Sequence, residues 1–196
     1  MRVIAGTLKG RRLKTPTWEG LRPTSDKLRE TLFNILAPRM GGARVLDGFA
    51  GTGAVGIEAL SRGAADVTFV DESRRAQALI AANLEHCGVT KGYAIIPTGL
   101  TRALATLPAD TTFDIILLDP PYDRLRQLRP PQGMNGDDDD DVQKAMAAAG
   151  RRLTPEGVLV LEHARRHAVP DSCGPLARTR TVTAGNSALT FYAWPP

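Results

Sequence analysis

Residues 43–62 read ARVLDGFAGTGAVGIEALSR. The stretch opens on the apolar run Ala43–Leu46, which predicts a strand. It turns through Asp47–Gly56, which contains Gly48, Gly51, Gly53 and Gly56, and continues as a helix over Ala54–Arg62. A strand that passes through a glycine-rich turn straight into a helix is the opening unit of a parallel βαβ sheet. The same alternation repeats downstream. Val67–Val70, Tyr93–Ile96, Phe113–Leu118 and Gly157–Leu161 predict strands, while Arg74–His86, Leu100–Leu107 and Val142–Leu153 predict helices. The fourth strand, FDIILL, is apolar on both faces, as a strand covered on both sides must be. Arg178–Thr183 and Ala188–Trp194 predict a closing antiparallel pair. The fold class is therefore α/β, a doubly wound sheet with helices on both faces.

Upstream, residues 2–14 predict two short strands around a glycine-containing turn. Leu21–Asp26 predicts a loop, and Lys27–Leu36 predicts a helix ended by Pro38 and Gly41-Gly42. Two parts result: a basic N-terminal hairpin and helix over 1–42, and a core over 43–196. Residues 124–141, with Pro130-Pro131 and Asp137–Asp141, are expected to form a flexible, solvated insertion in that core.

The chain has 196 residues, enough for one domain. With 42% hydrophobic and 23% charged residues it can bury a core. It lacks the run of about eighteen apolar residues that a membrane helix needs, and no apolar segment follows its basic start to make a secretory signal. Cys87 and Cys173 stand apart with no CxxC, which argues against a disulfide framework or zinc site and for a reducing cytoplasm. Charge is uneven. Residues 1–44 hold ten Lys/Arg against three Asp/Glu, residues 45–162 eleven against seventeen, and residues 163–196 four against one. The basic start suggests a phosphate-backbone partner, with Lys9, Arg11 and Arg12 as contacts.

Gly51, Gly53 and Gly56 spell GxGxxG, and the acidic Asp71 follows about twenty residues on, as in a dinucleotide-binding turn. Asp47 argues for a different ligand. At the carboxyl end of its strand it would repel a pyrophosphate but attract a cation. S-adenosyl-L-methionine, with an ammonium and a sulfonium and no phosphate, suits the turn better than NAD. Asp71 can accept from ribose hydroxyls in either case.

The fourth strand ends in Asp119-Pro120-Pro121-Tyr122, at the edge where open α/β sheets bind ligands. Asp119 and the Pro120 carbonyl can accept both hydrogens of an exocyclic amine. The prolines stiffen the loop, and Tyr122 offers a ring on which a planar base can stack. His86, His163 and His167 lie in no motif and are expected at the surface.

DGFAGTGAVG followed by DPPY resembles the class I amino-methyltransferases. The segments RPTSDKLRETLFN (22–34), MRVIAGTLKGRRL, GIEALSRGA and SALTFY resemble the bacterial ribosomal RNA small-subunit methyltransferase D family over almost the whole chain. The resemblance implies a Rossmann-like class I methyltransferase sheet with an antiparallel C-terminal strand. The implied activity is methylation of a guanine N2 in 16S ribosomal RNA by S-adenosyl-L-methionine. Asp47, Gly48, Gly51, Gly53, Asp71 and Gly99 would hold the cofactor, and Asp119, Pro120 and Tyr122 would carry the chemistry. Lys9, Arg11, Arg12, Arg22, Thr24, Arg29 and Pro121 would meet the RNA, with Asp26 and Glu30 helping to close the site. No metal is implied. The expected partner is small-subunit ribosomal RNA, free or within an assembling 30S particle. The protein is expected to be a cytoplasmic monomer with no membrane association. An adenine-N6 methyltransferase and a non-catalytic RNA-binding relative are the competing readings. The turn Thr98-Gly99-Leu100 lacks the acidic residue many relatives carry there, leaving backbone groups to recognise adenine.

Overall fold

The computed structural model describes residues 1–16, 26–121 and 139–196. In chain order the elements are α1 (Asp26–Met40), β1 (Arg44–Gly48), α2 (Ala54–Ser61), β2 (Asp66–Val70), α3 (Arg74–His86), β3 (Tyr93–Ile96), α4 (Leu100–Thr106) and β4 (Phe113–Leu118). There follow α5 (Asp139–Gly150), β5 (Leu153–Ala164), β6 (Ser172–Cys173), β7 (Leu176–Ala184) and β8 (Ser187–Ala193). One sheet takes all eight strands in the order β3-β2-β1-β4-β5-β8-β7-β6. Strands β1 to β5 pair in parallel, and β8, β7 and β6 close the sheet antiparallel.

Strand alternation sorts the side chains between two cores. Val45, Val67, Phe69, Ile115 and Val160 meet α1, α2 and α3 on one face. Leu46, Val70, Ile116, Leu118 and Leu161 meet α4 and α5 on the other. Each apolar side chain removed from water contributes about 1.5–3 kcal/mol, so both helical layers are held by burial.

Several elements differ from the expectation. The N-terminal strands reduce to a single antiparallel bridge, Arg2 with Arg12. Beyond that bridge the Val3 amide meets the Arg11 carbonyl and the Gly10 amide the Val3 carbonyl, both at 2.9 Å, and the rest of the segment is tied to the core. The Glu58 carboxylate, fully buried in α2, accepts from the amides of Ile4 (2.7 Å) and Ala5 (3.0 Å) and from Arg62 Nε (2.7 Å). Helix α1 runs through Pro38 to Met40 and stops at the glycines. Proline in the last turn loses one amide bond, while Leu36 and Met40 keep the helix seated in the core. The helix expected from Val142 begins at Asp139, so part of the aspartate run belongs to it. Residues 122–138, most of the expected insertion, lie outside the described residues. His163 is buried rather than at the surface. It shares the strand face of Leu159 and Leu161, and its ring joins Thr190 Oγ1 (2.8 Å) and the Ala164 carbonyl (3.0 Å). Burial pushes its pKa down, which keeps the ring neutral.

Candidate functional site

The site is built on the turn between β1 and α2. Asp47, the penultimate residue of β1, is buried on the α2 side of the sheet, and its Oδ2 accepts the Gly56 amide at 2.9 Å. That bond draws α2 against the strand end. A Cβ at Gly56 would lie 2.2 Å from the Phe69 ring and 2.9 Å from Asp47 Oδ2, so only glycine allows the approach. Gly51 and Gly53 serve differently. Their φ angles of 55° and 73° place them in the left-handed region, where a side chain costs about 1–2 kcal/mol. Phe49 adopts φ 62° without being glycine. A bulky residue in that region stores strain, a feature concentrated at functional turns.

The neighbouring loops are tied to this turn. Asp71 Oδ2 accepts the Gly51 amide and Oδ1 accepts the Ser73 amide, both at 2.8 Å. A carboxylate has about four lone-pair sites, so Asp71 retains acceptor capacity while fixing both loops. Asn83, buried in α3, donates to the Thr52 carbonyl (2.9 Å) and the Lys14 carbonyl (3.2 Å) and accepts the Lys14 amide (2.7 Å).

Register brings the D-P-P segment to the same place. Gly48 pairs with Leu118 across β1 and β4, and the Asp119 amide reaches the Gly48 carbonyl at 3.5 Å. Asp119 thus starts its loop beside Phe49. It is half-buried, Pro120 is buried and Pro121 is exposed. Gly99 caps α4 beyond β3, and Leu100 packs toward Gly48. Asp47, Gly48, Gly51, Gly53, Asp71, Gly99, Asp119 and Pro120 therefore share the carboxyl edge of β3, β2, β1 and β4. Tyr122, Arg22 and Thr24 lie outside the described residues.

Other expected residues are elsewhere. Lys9, Arg11 and Arg12 are exposed, but the turn that carries them docks on the far end of α2. There the Thr7 amide meets the Ser61 carbonyl (2.8 Å) and the Leu8 amide meets Ser61 Oγ (2.9 Å). The eight residues of α2 separate that end from the glycine turn by about 12 Å. Arg29, expected to meet RNA, is fully buried. It donates to the Arg2 carbonyl and to Asp26 Oδ1 (3.0 Å), and no partner for its Nε and Nη1 is present among the described residues. Burial lowers its pKa, and Asp26 and Glu58 oppose that shift. The reading of the sequence missed Phe49, Gly56 and Asn83 as site residues. Gly56 was visible as the third glycine of the motif, whereas nothing in the sequence marks Asn83 or the Phe49 backbone.

The sheet, its glycine turn and the acid-proline edge define a Rossmann-like methyltransferase fold. The solved structure "Putative methyltransferase yhhF from Escherichia coli" superposes with a TM-score of 0.77 at 30% identity, covering 98% of this chain and 96% of that one. Residues 1–193 match the family described as conserved hypothetical protein 95, and the chain belongs to it. "Putative rRNA methyltransferase YlbH" of Bacillus subtilis is 36% identical over 195 residues, 98% of each chain. "Ribosomal RNA small subunit methyltransferase D" of Escherichia coli K12 is 42% identical over 125 residues, 63% of this chain and 61% of that protein. The family resemblance read from the motifs is borne out.

Burial drives the Asp47 pKa from its ordinary 3.8 up to about 8; the Gly56 amide opposes this and the Asp71 charge adds to it. Folding therefore favours the protonated acid. The stabilisation is full below 3.8 and is lost as pH rises toward 8. Asp47→Asn keeps an acceptor for Gly56 and removes the titration. Urea midpoints of the two proteins at pH 5 and pH 8 should show the wild type losing stability relative to the variant at the higher pH. Parallel pH dependence would place the Asp47 pKa near its ordinary value.

Proposed function

We propose that the chain transfers a methyl group from S-adenosyl-L-methionine to the exocyclic N2 amine of a guanine in small-subunit ribosomal RNA. The observation that carries this reading is the Gly48–Leu118 pairing, which sets Asp119 beside the turn headed by Asp47. The donor set fits the cofactor. Asp47 is buried, and among the described residues the groups that act on it are the Gly56 amide and the like-charged Asp71. A cationic ligand would draw the raised Asp47 pKa back down and pair with the carboxylate, whereas a pyrophosphate would hold the acid protonated and gain no such pairing, which counts against NAD.

Asp47 and the glycine turn hold the amino-acid end of the cofactor, and Asp71 takes the ribose hydroxyls with its remaining lone pairs. When bound, the cofactor supplies an electrophilic methyl group on a positively charged sulfur. Asp119 and the Pro120 carbonyl accept the two N–H groups of the target amine and aim the nitrogen lone pair at that carbon. The C–N bond would form as the C–S bond breaks, leaving a neutral thioether and moving the positive charge from sulfur to nitrogen, and Asp119 would take the proton that the nitrogen then loses. Tyr122 stacks on the base, which must leave its helix at a cost of a few kcal/mol. Most of the acceleration comes from holding the amine in line. The names of the relatives support ribosomal RNA as the substrate class. The exposed Lys9, Arg11 and Arg12 supply phosphate contacts about one helix length from the glycine turn, and Lys14, whose backbone Asn83 links to that turn, supplies one nearer to it, so a bound RNA spans both. Arg29, being buried, positions this surface by holding the Arg2 backbone to α1 rather than touching RNA.

Asp119→Ala should lower transfer to 16S ribosomal RNA by about 100-fold or more while calorimetric affinity for S-adenosylmethionine stays within a few-fold. Asp47→Asn should instead weaken that affinity by about 1.5–3 kcal/mol, the value of a bond to a charged group. Loss of all cofactor affinity in Asp119→Ala would reassign that residue to the cofactor. Replacing Lys9, Arg11, Arg12 and Lys14 together by alanine should flatten the salt dependence of RNA binding, by about 0.7–0.9 in log K per log salt for each phosphate no longer neutralised. An unchanged slope with unchanged turnover would remove the RNA role from this turn.

A further inference from the structure

The pairing of β1, β2 and β3 sets the site residues in a row along one sheet edge. Asp119 follows β4, Asp47 is the penultimate residue of β1, Asp71 follows β2, and Gly99 lies beyond β3. Neighbouring strands are about 4.8 Å apart, so the row from β4 to β3 spans about 14 Å. In the reading proposed above, on which this inference rests, the cationic end of the cofactor lies at Asp47 and the ribose at Asp71. The purine then lies one strand further, at the edge between β2 and β3.

That edge holds an acid the motif reading passed over. Glu72 follows Asp71, is exposed, and reaches across to the Thr98-Gly99 turn. A Cβ placed on Gly99 would lie 3.5 Å from Glu72 Oε2. The carboxylate therefore flanks the space that a side chain at position 99 would enter. Phe49 and Ile96, at the carboxyl ends of β1 and β3, are both half-buried against the core cluster that includes Val70 and Leu100, and supply apolar surface on that face of the edge. Apolar flanks with one acceptor-only group suit a flat ring carrying an exocyclic amine, which presents two donors and no acceptor.

We infer that Glu72 recognises the 6-amino group of the cofactor's adenine from the β2–α3 loop, supplying the carboxylate that the Thr98-Gly99 turn lacks. Glu72 is thereby a specificity residue for the cofactor and takes no part in the methyl transfer itself. A 6-oxo purine at this place would turn an acceptor toward the carboxylate and be disfavoured.

The test is calorimetric binding of S-adenosylhomocysteine and its 6-oxo counterpart S-inosylhomocysteine to wild type and to Glu72→Gln. Wild type should prefer the 6-amino ligand by about tenfold or more, the value of one charge-assisted hydrogen bond. Glu72→Gln, whose amide can donate to a 6-oxo group, should narrow that preference or reverse it. A wild-type preference retained in full by Glu72→Gln, with S-adenosylhomocysteine still bound, would overturn the role of Glu72 and leave the cofactor reading standing. Failure of wild type to bind S-adenosylhomocysteine would overturn the cofactor reading and this inference together.

Discussion

The bond from the Gly56 amide to the buried Asp47 carboxylate is the constraint on which the site depends. It fixes where α2 starts relative to β1, and it works only because Gly56 has no side chain to meet Phe69. With α2 held there, the chain between must double back through left-handed Gly51 and Gly53, and Phe49 is forced into the same unfavourable region. The strained turn lies at the sheet edge, with Phe49 half-buried and residues 50–54 buried. The parallel register with β4 then delivers Asp119 next to it without a further device. Burial at this point keeps the Asp47 acid protonated until the pH nears 8, and in the proposed reading a cationic ligand would favour its ionised form. Binding and structure are thus coupled at one residue.

The N-terminal segment is built into the core rather than appended to it. Val3 and Leu13 join the same apolar cluster as Phe33, Ile57 and Val67. Glu58, Ser61 and Asn83 hold its backbone from α2 and α3. Leaving any of these buried acceptors unmatched would cost about 1–3 kcal/mol, so the basic turn has a fixed place. It lies at the opposite end of α2 from the glycine loop, while Asn83 links Lys14 to the Thr52 carbonyl of that loop. The basic turn and the glycine loop are thus held together, with Lys14 beside the loop and Lys9, Arg11 and Arg12 further from it. A long polyanion can span such a layout, and a small nucleotide cannot.

The parallel strands and their helices were legible because buried strands and amphipathic helices leave strong periodic patterns. Arg74–His86, Tyr93–Ile96 and Phe113–Leu118 lie where their apolar spacing put them. The glycine turn and the acid-proline edge were legible because each needs particular residue types at fixed spacing. The misses have physical causes. Strand β5 extends from Leu153 to Ala164, beyond the short apolar run Gly157–Leu161. Continuing its alternation by two residues would have buried His163 with Leu161. Arg29 reads as a helix-surface charge, and only the fold reveals that the N-terminal backbone covers it. Glu72 drew no notice because its partner position, Gly99, is brought near it by the pairing of β2 and β3 and not by sequence proximity.

The central claim is methylation of a guanine amine in small-subunit ribosomal RNA. Its most direct test incubates the purified protein with 16S ribosomal RNA or 30S particles from cells lacking the gene, using isotopically labelled S-adenosylmethionine. The RNA is then digested to nucleosides and analysed by mass spectrometry. The account predicts label in N2-methylguanosine at one site. Label in N6-methyladenosine, or none in RNA while duplex DNA or protein becomes labelled, would contradict it.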